Sequence, residues 1–144
     1  MARRPLIRGG ALILDSEGLV RLSAGDARAV AYVKAAIVRR ASVVVSAVTL
    51  AEVLRGGQRD AAVHRVLADV SVTPVTQGLG RRAGELLGET RLSGNRCTID
   101  AVVAATALAA GRPAVVLTSD PDDLNRLVEE PGRVKHERVA VVEV

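Results

Sequence analysis

The sequence predicts an α/β protein: a mainly parallel, roughly five-stranded sheet with helices on both faces. Three observations lead there. Short β-branched runs alternate along the chain with segments whose apolar residues recur at helical spacing. The segments 12–14 and 114–117 are uniformly apolar, as strands are when both of their faces are buried. The chain has 144 residues and is 49% hydrophobic, which suits one domain with a substantial core. That core must be aliphatic, because Tyr32 is the only aromatic residue.

The elements follow in order. Residues 1–10 read as a basic N-terminal arm, and 11–144 as a single domain. "ALILD" (11–15) is a strand that ends in an acid. Residues 27–41 carry apolar side chains at 30, 33, 37 and 38, one face of a helix. "SVVVSA" (42–47) is a β-branched strand. "TLAEVLRG" (49–56) is a short helix closed by Gly56 and Gly57, and 60–70 is another. "VTPVT" (72–76) is a brief strand near an edge, since Pro74 cannot donate to a ladder. Residues 80–92 and 98–111 are helices, the second stopped by Gly111 and Pro113. "AVVLTSD" (114–120) is a strand. "PDDLNRLVEE" (121–130) is a helix with Pro at its first position and acids in its first turn. "RVAVVEV" (138–144) is the last strand.

Composition excludes several classes. The longest near-apolar run, 101–110, is too short to span a bilayer, and the N-terminus lacks a secretory pattern. A lone Cys97 permits neither an internal disulfide nor a cysteine metal cluster. These features point to a cytoplasmic protein without membrane contact. Net charge is +4, and eighteen of the twenty basic residues are Arg. Setting aside four acids considered next leaves 20 basic residues against 12 acidic ones, or +8, a balance that suits a polyanionic partner.

In open α/β sheets, function collects beyond the carboxyl ends of the strands. Asp15 and Asp120 end two strands. Glu52 follows a third, and Asp100 is expected in the first turn of the 98–111 helix. Each has an ordinary explanation. Glu52 completes "TLAE", a capping box with Thr49. Asp100 and Asp120 sit where a helix start favours anions, and Asp15 can cap the turn "DSEG". Together they call for more. Converging carboxylates raise one another's pKa unless a cation neutralises them, and no Lys or Arg adjoins "LILD" or "VLTSD" on the strand side. An all-oxygen donor set of this charge suits Mg²⁺ or Mn²⁺ rather than Zn²⁺. His64 and His136 read as surface or core-edge residues rather than ligands, and Cys97 as a small buried hydrophobe.

In this order and spacing, "LILDSEGL", "SAVTLAEVLRG", "TIDAVVAATALAAG" and "VLTSDPDDL" resemble the PIN-domain ribonucleases, and among them the VapC toxins of bacterial toxin–antitoxin pairs. The resemblance runs from about residue 11 to 144. It implies a PIN-like three-layer α/β/α fold and a Mg²⁺-dependent endoribonuclease, commonly dimeric and inhibited by a cognate antitoxin. By motif position, Asp15, Glu52, Asp100 and Asp120 match the family's acidic quartet, and Asp123 a fifth, less uniform acid. Glu17 departs from the small or amide residue usual two positions after the first acid.

The expected chemistry is hydrolysis of an RNA phosphodiester. Asp15, Asp100, Asp120 and Glu52 are the candidate metal ligands, with Glu52 also placed to orient the attacking water. Ser16, Thr118 and Asp123 are candidate supporting residues. One or two ions would stabilise the attacking and leaving oxygens. A response-regulator receiver is the first rival, but it needs a pair of adjacent acids after the first strand and a Lys after the last, and neither occurs. The second rival is a catalytically weak PIN-like module that binds RNA or serves as a scaffold.

Overall fold

β1 (Ala11–Leu14) lies at the middle of a five-stranded, all-parallel sheet of order β3-β2-β1-β4-β5. The structure is a computed structural model that describes residues 9–144, so the expected basic arm lies outside the described residues except for Gly9 and Gly10. β2 (Ser42–Ser46) and β4 (Ala114–Thr118) flank β1. β3 (Ser71–Thr73) and β5 (Ala140–Glu143) form the edges. Leu12 pairs with Val43 on one side and Val115 on the other, so the ends of β1, β2 and β4 stay level. The chain runs outward from β1 to β3, then returns to the far side of β1 for β4. A crevice therefore opens beyond the carboxyl ends of β1 and β4, at the switch in strand order.

Seven α-helices are present among the described residues: α1 (Ser16–Ser23), α2 (Ala27–Val38), α3 (Ala47–Val53), α4 (Ala61–Leu67), α5 (Gln77–Thr90), α6 (Gly94–Ala109) and α7 (Pro121–Leu127). The period-2 geometry of the strands divides the core. Ile13, Val44 and Val116 pack with Leu86, Val103, Leu124 and Leu127 from α5, α6 and α7. Leu12, Leu14, Val45 and Leu117 face the other way, onto Leu19, Ala29, Ala36 and Val63 from α1, α2 and α4. This is the three-layer α/β/α architecture that the uniformly apolar strands predict. Ile13, Leu14 and Leu117 are wholly buried, each worth about 1.5–3 kcal/mol of transfer free energy. Residues 101–107 of α6 are all buried, and four of the seven are Ala.

The boundaries differ from the sequence reading in instructive ways. α1 was expected as a turn. Asp15 is instead its N-cap, and packing of Gly18 and Leu19 sustains a helix whose Ser and Gly content disfavours it. α6 begins at Gly94 rather than at 98, so Asp100 lies in the second turn, away from the positive end of the dipole. α3 begins at Ala47, with Ser46 as N-cap, and ends at Val53 before Gly56 is reached. Thr49 is thus inside the helix, and the capping-box reading of "TLAE" is overturned. β3 is an edge strand as expected but stops at Thr73, before Pro74.

Away from the crevice, Arg112 ties the end of α6 to the α7–β5 connection. Its guanidinium donates to Glu130 Oε1 and the Glu137 carbonyl, both at 2.8 Å, and to the Leu108 carbonyl at 3.1 Å. No helix is long and apolar enough to cross a membrane among the described residues.

Candidate active site

The four acids come from four elements. Asp15 leaves β1 and caps α1, accepting from the Gly18 amide at 2.7 Å. Its own amide donates to the Leu117 carbonyl of β4 at 3.2 Å. A Cβ on Gly18 would stand 2.5 Å from that carbonyl oxygen. Glycine is therefore required there for α1 to lie against β4 and keep its amide on Asp15. The carboxylate is 7% exposed, and burial raises its pKa. The Thr118 hydroxyl and the Gly18 amide oppose that rise, and the Glu17 charge adds to it.

Glu52 stands on α3, half-buried. Burial raises its pKa, as do the charges of Asp15 and Glu17, against the Ser16 hydroxyl and Arg55. Asp100, on α6, is the most perturbed. Burial, then the charges of Asp15, Asp123, Glu52 and Asp120, push its carboxyl up to about 6. Asp15 after β1, Glu52 on α3, Asp120 after β4 and Asp123 on α7 thus all act on Asp100 of α6.

Asp120 occupies the N-cap position of α7, yet its side chain makes no capping hydrogen bond. Its amide donates to the Thr118 hydroxyl at 3.1 Å, and the side chain is exposed. Capping therefore does not account for this carboxylate. Asp122 is exposed in the first turn of α7, where it serves the dipole. Asp123, half-buried on the same helix, accepts from the Cys97 thiol at 3.6 Å. Burial and Asp123 raise the Cys97 pKa, so it stays a thiol. Cys97 is buried as expected, but its contact with an acid of the site was not foreseen. His64 and His136 are exposed and take no part.

Sequence reasoning missed Asp60. It is buried and accepts from the Arg55 and Gly56 amides at 2.9 and 2.6 Å, which lower its pKa. It fixes the turn after α3 from which Arg55 acts on Glu52. The signal available was an Asp four residues after "LRG", too generic to separate from a helix cap.

No three acidic, His or Cys side chains form a ready-made metal cage among the described residues. The donor chemistry nevertheless fits a hard divalent cation. The donors are carboxylate oxygens, and the four charges that act most strongly on Asp100 are all negative.

The PIN domain family profile matches residues 12–130. No curated protein sequence matches the chain. Twelve chains of solved structures match. One is from the crystal structure of VapBC2 from Rickettsia felis bound to a DNA fragment from their promoter. It is 14% identical, with a TM-score of 0.67, covering 92% of this chain and 99% of that one. Another is from a toxin–antitoxin complex from Klebsiella pneumoniae, 22% identical, with a TM-score of 0.63 and coverage of 92% and 99%. At these identities the two neighbours establish a shared fold.

Proposed function

The chain belongs to the PIN-domain family, and on that premise we propose that it is a divalent-metal-dependent endoribonuclease, the toxin of a type II toxin–antitoxin pair. The observation that carries this reading is Asp100, pushed to about 6 by burial and four surrounding carboxylates. A cluster of that kind is unfavourable for folding alone and becomes favourable around a cation.

Asp15, Asp100, Asp120 and Glu52 would hold Mg²⁺ or Mn²⁺. When bound, the ion acidifies an attacking water and neutralises charge on the phosphoryl oxygens. The chain's own residues do the rest. Gly18 and Thr118 fix Asp15, the most buried member of the set. Glu52, beside Ser16, orients the attacking water. Asp123 backs Asp100 from α7. Arg55 and the Arg-rich surface hold the phosphate backbone, drawing on the +8 balance outside the quartet. With Tyr32 the only aromatic residue, base readout relies on Arg stacking or RNA shape rather than on aromatic platforms.

The two toxin–antitoxin neighbours support a cognate antitoxin as partner. The same reading carries a homodimer and a cytoplasmic location, where RNA and antitoxin are both met. An inhibiting antitoxin should place an Arg or Lys near the acids, because metal-free carboxylates repel. The test is cleavage of RNA by the purified chain with Mg²⁺, with Mn²⁺ and with EDTA. Cutting only with metal supports the reading; robust cutting in EDTA sinks the metal mechanism. The absence of a closed cage among the described residues favours one alternative, an RNA-binding or scaffolding module. That module would retard RNA in a gel without cutting it under any metal.

A further inference from the structure

Thr49 is wholly buried, and its hydroxyl alone among the buried side-chain polar atoms of the described residues has no hydrogen-bond partner. A buried hydroxyl left without a partner is costly, so its retention needs a reason. Threonines elsewhere in the helices avoid the cost by donating to the carbonyl four residues back. Thr106 donates to Val102 at 2.8 Å and Thr90 to Leu86 at 2.7 Å. Thr49 lacks this exit, because the residue four back is Val45 of β2 rather than a preceding helical turn.

Its position is more telling. Thr49 and Glu52 are three apart on α3, which puts them on one face with Cβ atoms about 5–6 Å apart. α3 packs against both α1 and α6, the helices that carry Ser16 and Asp100. Ser16 and Asp15 both act on the Glu52 carboxylate. Thr49 is the buried member of this face and Glu52 the half-exposed one.

We infer that Thr49 is a positioning residue whose hydroxyl donates to the Glu52 carboxylate once a divalent cation gathers the acids. Its unpaired hydroxyl is then a donor held ready for that arrangement. This inference rests on the metal-dependent ribonuclease reading and adds to it an uncharged residue from beneath the quartet.

The test compares Thr49→Val, which keeps the shape and removes the hydroxyl, with Thr49→Ser, which keeps the hydroxyl. Calorimetry measures Mn²⁺ affinity, and melting is followed with and without Mn²⁺. Supporting groups of this kind are worth about 10–100-fold in metal affinity or activity. Thr49→Val should melt no lower than wild type in EDTA, bind Mn²⁺ about tenfold more weakly, and lose kcat on RNA with KM little changed. Thr49→Ser should retain wild-type Mn²⁺ affinity. Wild-type Mn²⁺ affinity in Thr49→Val would overturn the inference. So would a lower melting temperature of that variant in EDTA, which would mark the hydroxyl as already satisfied in the metal-free fold. A wild-type chain that neither binds Mn²⁺ nor cuts RNA overturns the ribonuclease reading itself, a distinct result.

Discussion

The Gly18 amide donates to Asp15 Oδ1 at 2.7 Å, and the same residue leaves no room for a side chain against the Leu117 carbonyl. One glycine thus sets both the orientation of the most buried acid and the distance between α1 and β4. Gly18→Ala should lower stability by about 1–3 kcal/mol, because backbone must move to admit a methyl group. Gly84, exposed on α5 with nothing near its missing Cβ, provides the contrast. Gly84→Ala should stabilise by about 0.5–1 kcal/mol through helix propensity. Urea melts of both variants check the pair, and equal effects would contradict it.

Asp120→Asn should leave the melting temperature almost unchanged, since the side chain caps nothing in the structure. RNA cleavage at saturating Mg²⁺ should fall by orders of magnitude, because the amide keeps the size and loses the charge. Asp122→Asn should do little to either, its contribution to the dipole being about 0.3–1 kcal/mol. Asp123→Asn should fall between the two, as it touches Cys97 and acts on Asp100. Full activity in Asp120→Asn would return this stretch to a helix-start role.

The Asp100 carboxyl sits at about 6, above its ordinary 3.8. Folding therefore favours its protonated form. The associated stability is present in full below the unfolded pKa and is lost as pH rises through about 6. In EDTA, the melting temperature should climb as pH falls from about 7 to about 5. Asp100→Asn should flatten that slope and raise the melting temperature at neutral pH. Asp15 and Glu52, also raised, keep a residual slope. With saturating Mn²⁺ the trend should reverse, because protons compete with the cation for the same oxygens. A slope unaltered by Asp100→Asn would show that the acids do not meet.

Arg112→Ala should destabilise the chain by about 1–3 kcal/mol, since it leaves Glu130 with Arg133 as its remaining guanidinium partner and takes the same donor from two carbonyls, Leu108 and Glu137, at once. RNA cleavage per folded molecule should be unchanged, because the network lies at the amino end of β4, away from the acids. Thermal melts and active-site titration check this. A loss of specific activity without a loss of stability would contradict it.

The sequence by itself determined the layers, the parallel sheet and the strand-end acids. Runs such as "ALIL" and "AVVL" can be satisfied only when both faces are covered, and Asp15 and Asp120 stand where such strands must stop. That information is local, carried by side-chain hydrophobicity and period. Tertiary structure alone decided which local preferences yielded. Ser16–Ser23 is a helix despite Gly18, because close packing on Leu117 outweighs its weak propensity. Thr49 reads as a helix cap, yet Ser46 takes that role one turn earlier and leaves Thr49 buried beside Glu52. Asp60 and the Cys97–Asp123 contact join residues through turns and helix packing that no spacing announces. The proximity of Asp100 to four other carboxylates belongs to the same class. Periodicity shows which face of an element is buried, but the neighbour that face meets depends on how all the elements pack at once.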